Sequence, residues 1–186
     1  MDIKELLTEI KNHHLETYSH SIMVANLSKE FALYLKLDGK LAFYSGLLHD
    51  IGKLYIPKNI LSAPRKLTDD EFEIIKKHPI YGVKLFQKVS LGEYEKYRKI
   101  IENCIISHHI NTQNSYPSFN IKKSIYANII SICDCYAALT QARDYKKPIS
   151  EEKALNILIN SNEYDKELLD SFINYITIKK IKRGLV

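Results

Sequence analysis

The sequence has no tryptophan, only three cysteines and two methionines, and only six glycines and five prolines in 186 residues. In a reducing compartment three cysteines would remain thiols, so no disulfide framework is expected. No apolar run approaches the ~18 residues of a membrane span, and the first residues lack the charged-then-apolar order of a signal peptide. We therefore expect a cytoplasmic protein with no membrane partner.

Neither positive nor negative charge is in large excess. The chain carries 27 Lys+Arg and 22 Asp+Glu, a formal net charge of +5, and its lysines are spread except for a basic tail at 177–186. That distribution gives no reason to expect DNA or RNA, but it favours an anionic small substrate. With 45% hydrophobic and 26% charged residues, the composition excludes wholesale disorder and indicates one globular domain over 1–186, with the oligomeric state open.

Alternating strand patterns are also missing, and helical periodicity dominates, so we predict an all-α fold. In the helix predicted at 14–35, His20, Val24, Leu27 and Phe31 lie on one side. The other helices are predicted near 2–12, 38–50, 93–108, 122–142 and 165–180, with further helices that begin near 68, 79 and 150.

Turn and capping signals set several helix limits. Gly52 is predicted to end the third helix, and 54–67 is predicted to be a loop. The pattern from Thr68 to Glu71 predicts a capping box, and Pro79 predicts a helix start. The polar stretch 111–120 is predicted to be a surface loop.

Histidines and acids stand within apolar helical patterns, where such groups need a partner. Asp134 is the clearest case, because it lies among four apolar residues at helical spacings of three, four or seven: Ala127, Ile130, Ala137 and Ala138. A buried aspartate must be paired, protonated or bound to a metal. Glu16 and His20, four residues apart, project from one helix face and could bind the same cation. The alternative is an ordinary side-chain pair.

The segment His49-Asp50-Ile51-Gly52-Lys53 brings a nitrogen donor, an oxygen donor and a cation into one turn. Metal phosphohydrolases need this combination, and a carboxylate can bridge two ions held ~3.5 to 4 Å apart. Taken alone, the His49-Asp50 dipeptide has a simpler explanation: a histidine at a helix C-terminus that is hydrogen-bonded to its neighbour.

Taken together, these groups are more numerous than one octahedral ion can use, which favours two or three divalent ions. Imidazole and carboxylate donors suit iron, manganese or zinc. We expect iron or manganese, with zinc, nickel or magnesium as alternatives. The candidate ligands are Glu16, His20, His49, Asp50, His78, His108, His109 and Asp134.

At this point the sequence resembles the HD-GYP branch of the HD-superfamily metal phosphohydrolases, which hydrolyse cyclic di-GMP. The resemblance covers about residues 14–176 and implies an HD-type bundle of about seven to nine helices around a metal cluster, with 1–13 as an N-terminal helix. It is carried by seven blocks in order: 16–24, 49–53, 66–68, 78–82, 108–109, 131–140 and 143–146.

The resemblance also implies roles. The six residues His49, Asp50, His78, His108, His109 and Asp134 would bind the metals, with His20 completing the set. Glu16 would match the glutamate used by members with a third metal. Asp50 would bridge two ions, and a hydroxide between them would attack phosphorus. Lys53 would steady the phosphate or aid the leaving oxygen, while Arg143 and Lys146 would hold the substrate's phosphates. The alternative for that basic pair is a solvated loop end.

The sequence departs from the family pattern around the expected signature loop. Ile110 replaces a glutamate, Ser115-Tyr116-Pro117 replaces Gly-Tyr-Pro, the loop is one residue shorter, and Ala137 replaces a second aspartate. None of these changes removes an expected metal ligand. The resulting hypothesis is a phosphodiesterase that hydrolyses a cyclic dinucleotide to the linear dinucleotide or GMP, with cyclic di-GMP as the leading candidate substrate. The alternatives are a non-catalytic metal- and nucleotide-binding signalling protein, or an HD hydrolase of another nucleotide.

Overall fold

The computed structural model describes residues 1–110, 115–142, 147–182 and 184, and within them it is built from α-helices without a β-strand. The predicted all-α fold is confirmed. None of the helices in these ranges is both long and apolar enough to cross a membrane. The helices are α1 (Ile3–His13), α2 (Leu15–Tyr34), α3 (Gly39–Leu48), α4 (Lys58–Leu61), α5 (Asp69–Ile75), α6 (His78–Phe86), α7 (Arg98–Ser107), α8 (Ile125–Thr140), α9 (Glu151–Ser161) and α10 (Lys166–Lys182).

The helix starts follow from short polar side chains that accept backbone N–H groups. Thr68 and Glu71 form the predicted capping box at the start of α5. Ser124 accepts the third backbone N–H of α8, and Ser150 does the same for α9. Each cap satisfies a donor that the helix itself leaves unpaired. Pro79 lies in the first turn of α6, as predicted, where its missing N–H costs nothing.

Two hydrophobic clusters lie on either side of α2. One packs α2 against α8, α9 and α10 around Phe31 and Phe172, both fully buried. The other packs α1, α3, α6 and α7 around Leu6 and Phe86. Five polar side chains of the candidate ligand set are buried as well: His20, His49, Asp50, His78 and His108. They lie on or next to helices that also contribute to the hydrophobic clusters, so the fold buries these polar groups beside packed hydrocarbon.

Gly52 does not end α3 in the way we predicted. The helix ends at Leu48, and Gly52 lies inside a 3₁₀ turn, Ile51–Tyr55. A Cβ on Gly52 would lie 1.9 Å from the carbonyl oxygen of His78 and 2.4 Å from the backbone nitrogen of Gly82. The glycine is needed because α6 approaches this turn closely, and not because a helix end requires a left-handed residue.

Two other sequence predictions need correction. The segment predicted as a loop at 54–67 contains the end of the 3₁₀ turn and the single helical turn α4. The helix predicted from 93 begins as a 3₁₀ turn, Gly92–Tyr97, and becomes α-helical at Arg98. Both differences involve elements of four to six residues, too short to show a helical hydrophobic period. The single-domain organisation over 1–186 stays a prediction.

Candidate metal centre

Five different parts of the fold bring the candidate ligands together. His20 lies within α2, His49 and Asp50 follow α3, and His78 is the first residue of α6. His108 and His109 follow α7, and Asp134 lies within α8. His49, Asp50, His78 and His108 are at most 1% exposed. Residues 114 positions apart thus contact one another, as in the 2.8 Å approach of His20 Nε2 to Asp134 Oδ1.

The ligand atoms group into three clusters, each with one donor atom per residue and all donor atoms within 4.8 Å of one another. The Asp134 cluster contains His20, His49 and Asp134; the Asp50 cluster contains His49, Asp50 and His108; the His109 cluster contains His78, His108 and His109. Neighbouring clusters share a residue, His49 at one junction and His108 at the other. The three clusters therefore form a row, with Asp50 in its middle.

Backbone carbonyls fix the tautomer of three of these histidines. In His49, His78 and His108, Nδ1 lies 2.7, 2.8 and 3.0 Å from the carbonyl oxygen three residues earlier. A carbonyl can only accept, so Nδ1 carries the proton in each ring. In the neutral ring, Nε2 then keeps its lone pair. All three rings are prepared to ligate through Nε2.

The geometry between those nitrogens requires a positive charge. The Nε2 atoms of His78 and His108 are 3.1 Å apart. Two lone pairs at that distance repel each other unless a proton or a cation lies between them. Two nitrogens bound at right angles to one ion, at about 2.1 Å each, would be about 3.0 Å apart. The observed separation therefore fits two ligands of one metal ion.

The two carboxylate oxygens of Asp50 face histidines that belong to the clusters on either side. Its Oδ1 lies 3.2 Å from Nε2 of His78, and its Oδ2 lies 3.4 Å from Nε2 of His49. Both His49 Nε2 and Asp50 Oδ1 are buried without a hydrogen-bond partner. A buried polar atom without a partner costs free energy that a ligated metal would recover. The donor set thus fits divalent cations, and Asp50 has one oxygen directed to each side.

The electrostatics keep several ligands in the forms that metals bind. His49 differs, because burial lowers its pKa but the charges of Asp50 and Asp134 outweigh burial and raise it. Burial opposes ionisation of Asp50, but Lys53 and His49 outweigh it and hold the pKa of Asp50 well below its usual range. Burial and the neighbouring imidazoles lower the pKa of His108 far below normal and that of His109 to about 3. These two histidines are therefore neutral at physiological pH, with a lone pair available.

The acid on α8 behaves in the same way. Burial opposes ionisation of Asp134, but the hydrogen bond from His20 and the charge of His49 hold its pKa well below the usual range. Nδ1 of His20 is 3.3 Å from Oε1 of Gln141. Gln141 was not among the candidate residues. It directly follows the last residue of α8, about two helical turns beyond Asp134, and nothing in its type marked it as a partner of a histidine.

Lys53 lies at the edge of the row rather than inside it. Its Nζ is 2.5 Å from Oδ2 of Asp50, and its side chain is 22% exposed while that of Asp50 is 1% exposed. The ammonium therefore connects the buried carboxylate to a cavity of about 240 Å³. That cavity has a polar wall with His14, Glu16 and His20, and an apolar wall with Phe72.

Glu16 lies in this cavity and in none of the three clusters. Its Oε2 is 4.0 Å from Nε2 of His14, a residue that the sequence did not single out. The backbone N–H of Thr17 donates to Nδ1 of His14, so the proton of a neutral His14 ring is on Nε2. The structure thus places Glu16 beside the cluster row and close to a second histidine.

Tyr116 is a further residue of the site. Its ring stacks on His109 with centroids 4.4 Å apart and also lies near His78 and Phe72. Burial and the two site aspartates raise its pKa. The stretch that we predicted as a surface loop therefore turns back at Tyr116 and covers the His109 cluster.

Two parts of the predicted site lie outside the described residues. One is 111–114, which belongs to the loop of Tyr116, and the other contains Arg143 and Lys146.

Comparison with known proteins shows the family of this chain. A sequence model of the HD domain family matches residues 17–139. A cyclic di-GMP phosphodiesterase of Pseudomonas aeruginosa is 30% identical over 92% of this chain and 42% of its own length. A 3'3'-cGAMP-specific phosphodiesterase of Vibrio cholerae is 30% identical over 84% of this chain and 37% of its own length. The chain therefore spans less than half of these curated relatives.

A solved structure shows the same fold. The HD domain of the L. monocytogenes phosphodiesterase PgpH, in complex with cyclic di-AMP, superposes with a TM-score of 0.64 at 18% identity, over 95% of this chain and 96% of that one.

Fold and site together define a helical protein with a buried histidine and aspartate centre that binds divalent metal ions. The chain belongs to the HD domain family. The family resemblance predicted from the sequence blocks is confirmed.

Proposed function

We propose that this chain is a metal-dependent phosphodiesterase that hydrolyses a cyclic dinucleotide to the linear dinucleotide or GMP. The leading candidate substrate is cyclic di-GMP. The observation that carries this proposal is the position of Asp50, whose two oxygens face His49 on one side and His78 on the other. The names of the relatives from Pseudomonas aeruginosa and Vibrio cholerae support the substrate class. Asp50 would bridge two ions, each completed by the imidazoles of one end of the row.

The remaining ligand assignments follow the clusters. His49, His20 and Asp134 would hold the ion at one end, and His78, His108 and His109 the ion at the other. Glu16, beside the row, would serve a third ion if one is bound. Iron or manganese is the proposed element. Divalent ions bound there would make water a nucleophile at neutral pH and polarise a phosphoryl oxygen.

The chain's own groups would orient the substrate. Lys53 reaches from Asp50 to the cavity beside the row, so its ammonium can donate to a phosphoryl oxygen or to the departing sugar oxygen. Arg143 and Lys146 are proposed to hold the substrate's phosphates, on the basis of their place in the sequence pattern. Tyr116, stacked on His109, would exclude water from that end of the site.

The test is a substrate panel with iron- or manganese-loaded protein. We expect cyclic di-GMP to be converted to linear dinucleotide or GMP, and 3'3'-cGAMP and cyclic di-AMP show how selective the site is. Asp50→Asn should lose metal and activity, whereas Asp170→Asn, an exposed acid on α10, should lose neither. Absence of turnover of all three by protein with two bound ions would contradict the proposal. Tight binding without product would instead support the non-catalytic alternative, which the Ile110 and Ser115 departures motivate.

A further inference from the structure

A second polar network contacts the backbone next to His108 and His109. Lys123, just before α8, directs its ammonium inward, where Nζ is 3.0 Å from the carbonyl oxygen of Ile110 and 2.8 Å from Oγ of Ser131. The hydroxyl of Ser131 in turn donates to the carbonyl oxygen of His108. The direction of donation is consistent along the chain of groups, because the ammonium has only protons to give and the carbonyl has only lone pairs.

This ammonium is costly for the protein to bury. Burial lowers the pKa of Lys123 to about 8, whereas its neighbour Lys122 is exposed. An apolar side chain of the same length would fill the space without that cost. In return, the ammonium binds the carbonyl oxygen of Ile110 directly and is linked to that of His108 through Ser131. These two residues lie on either side of His109.

The network also connects the two ends of the cluster row. Ser131 and Asp134 are three residues apart on α8, so they project from the same face of that helix, one turn apart. Through Ser131, the backbone that carries His108 and His109 is fixed to the helix that carries Asp134. A displacement of this backbone would change the distance between the His109 cluster and the Asp134 cluster.

We propose that Lys123 is a positioning residue that acts through Ser131, holding the backbone of His108–Ile110 against α8 and so setting the spacing of the two metal sites. The inference rests on the metal-binding part of the proposed function and is independent of the substrate. At the position of Ile110 the family resemblance implies a glutamate; in this chain the backbone oxygen of that residue is what the lysine binds.

The test measures metal binding and not hydrolysis. Wild-type protein, Lys123→Met and Ser131→Ala are loaded with manganese, and the affinity of each ion is measured by competition with a chelator. We expect each variant to lose about 10-fold or more in affinity for one ion while the other is retained, as is usual when an outer partner of a ligand is removed. Lys122→Met, the matched exposed lysine, should bind both ions as the wild type does. The double variant should lose no more than Lys123→Met alone.

An electron paramagnetic resonance spectrum provides a readout that a merely stabilising residue would not change. We expect the signal of two coupled manganese ions in the wild type and in Lys122→Met, and a larger share of isolated manganese in the other two variants. Wild-type affinity for both ions and an unchanged coupled signal in Lys123→Met would overturn the proposal, whatever happens to stability. If Lys123→Met does not fold, Ser131→Ala decides by the same criterion. Failure to hydrolyse any cyclic dinucleotide would leave this result unaffected.

Discussion

Lys53 and Asp50 form a contact of 2.5 Å between an ammonium at the edge of the site and a carboxylate in its interior. The lysine neutralises the same carboxylate that is proposed to bridge two cations. An ammonium and a metal ion compete for one negative charge, so metal binding should weaken this ion pair and release the lysine for the substrate.

Replacement of Lys53 by methionine tests this competition. Metal affinity should be kept or increased, because the variant lacks the competing cation, while kcat should fall by ~100-fold through the loss of a donor to the reacting phosphate. Metal content and steady-state kinetics measure the two effects separately. Lys58→Met, an exposed lysine, is the matched control and should change neither. Loss of both ions in Lys53→Met would contradict this account of the lysine.

Gly52 should not tolerate even one added methyl group. In Gly52→Ala the new Cβ would collide with the backbone of His78 and Gly82, so α6 must move away from the Asp50 turn. We expect a loss of stability of ~1–3 kcal/mol or more from overpacking and weaker metal binding at the His109 cluster. Urea unfolding and chelator competition measure these effects. An alanine variant with wild-type stability and metal affinity would show that the close approach of α6 is unimportant.

Lys123 should make stability depend on pH in the alkaline range. Its pKa is lowered from 10.5 to about 8 by burial, so between these values the unfolded chain binds more protons than the folded one. Stability then rises with pH, by at most about 1.4 kcal/mol per pH unit. The quantity to measure is the difference in unfolding free energy between wild type and Lys123→Met from pH 8 to 10.5. The opposing effect of Cys133 cancels in this difference, and that of Cys104 cancels apart from its interaction with Lys123.

A difference that stays constant over this range would mean that Lys123 is not buried as a charge. A difference that grows in favour of the variant as the pH rises would contradict the sign of the shift. Lys122→Met should give the same pH dependence as the wild type, since that lysine is exposed.

The sequence predicted well those features that depend on neighbours in the chain. The capping box at Thr68 and the helix start at Pro79 are local, because a side chain and the next backbone groups decide them. Gly52 was misinterpreted because its reason lies in another element, the backbone of α6, which no local pattern shows. The single turn α4 was missed because four residues cannot display a period of 3.6.

For the site, the sequence indicated which residue types would serve as ligands, but it did not indicate how those residues are arranged in space. The imidazoles and acids could be selected from the sequence because each interrupts an apolar pattern. Their order in a row, with Asp50 in the middle and Glu16 to one side, depends on how five elements pack. His14, Tyr116 and Lys123 were missed because a residue next to a helix start, in a loop or before a helix carries no sign of burial in its own neighbourhood.

The most direct test of the central claim is anomalous diffraction from crystals of the protein loaded with manganese. We expect two strong anomalous peaks, one on each side of the Asp50 carboxylate, with the imidazoles of the Asp134 cluster at one and those of the His109 cluster at the other. A single peak that does not involve Asp50, or none among these residues, would contradict it.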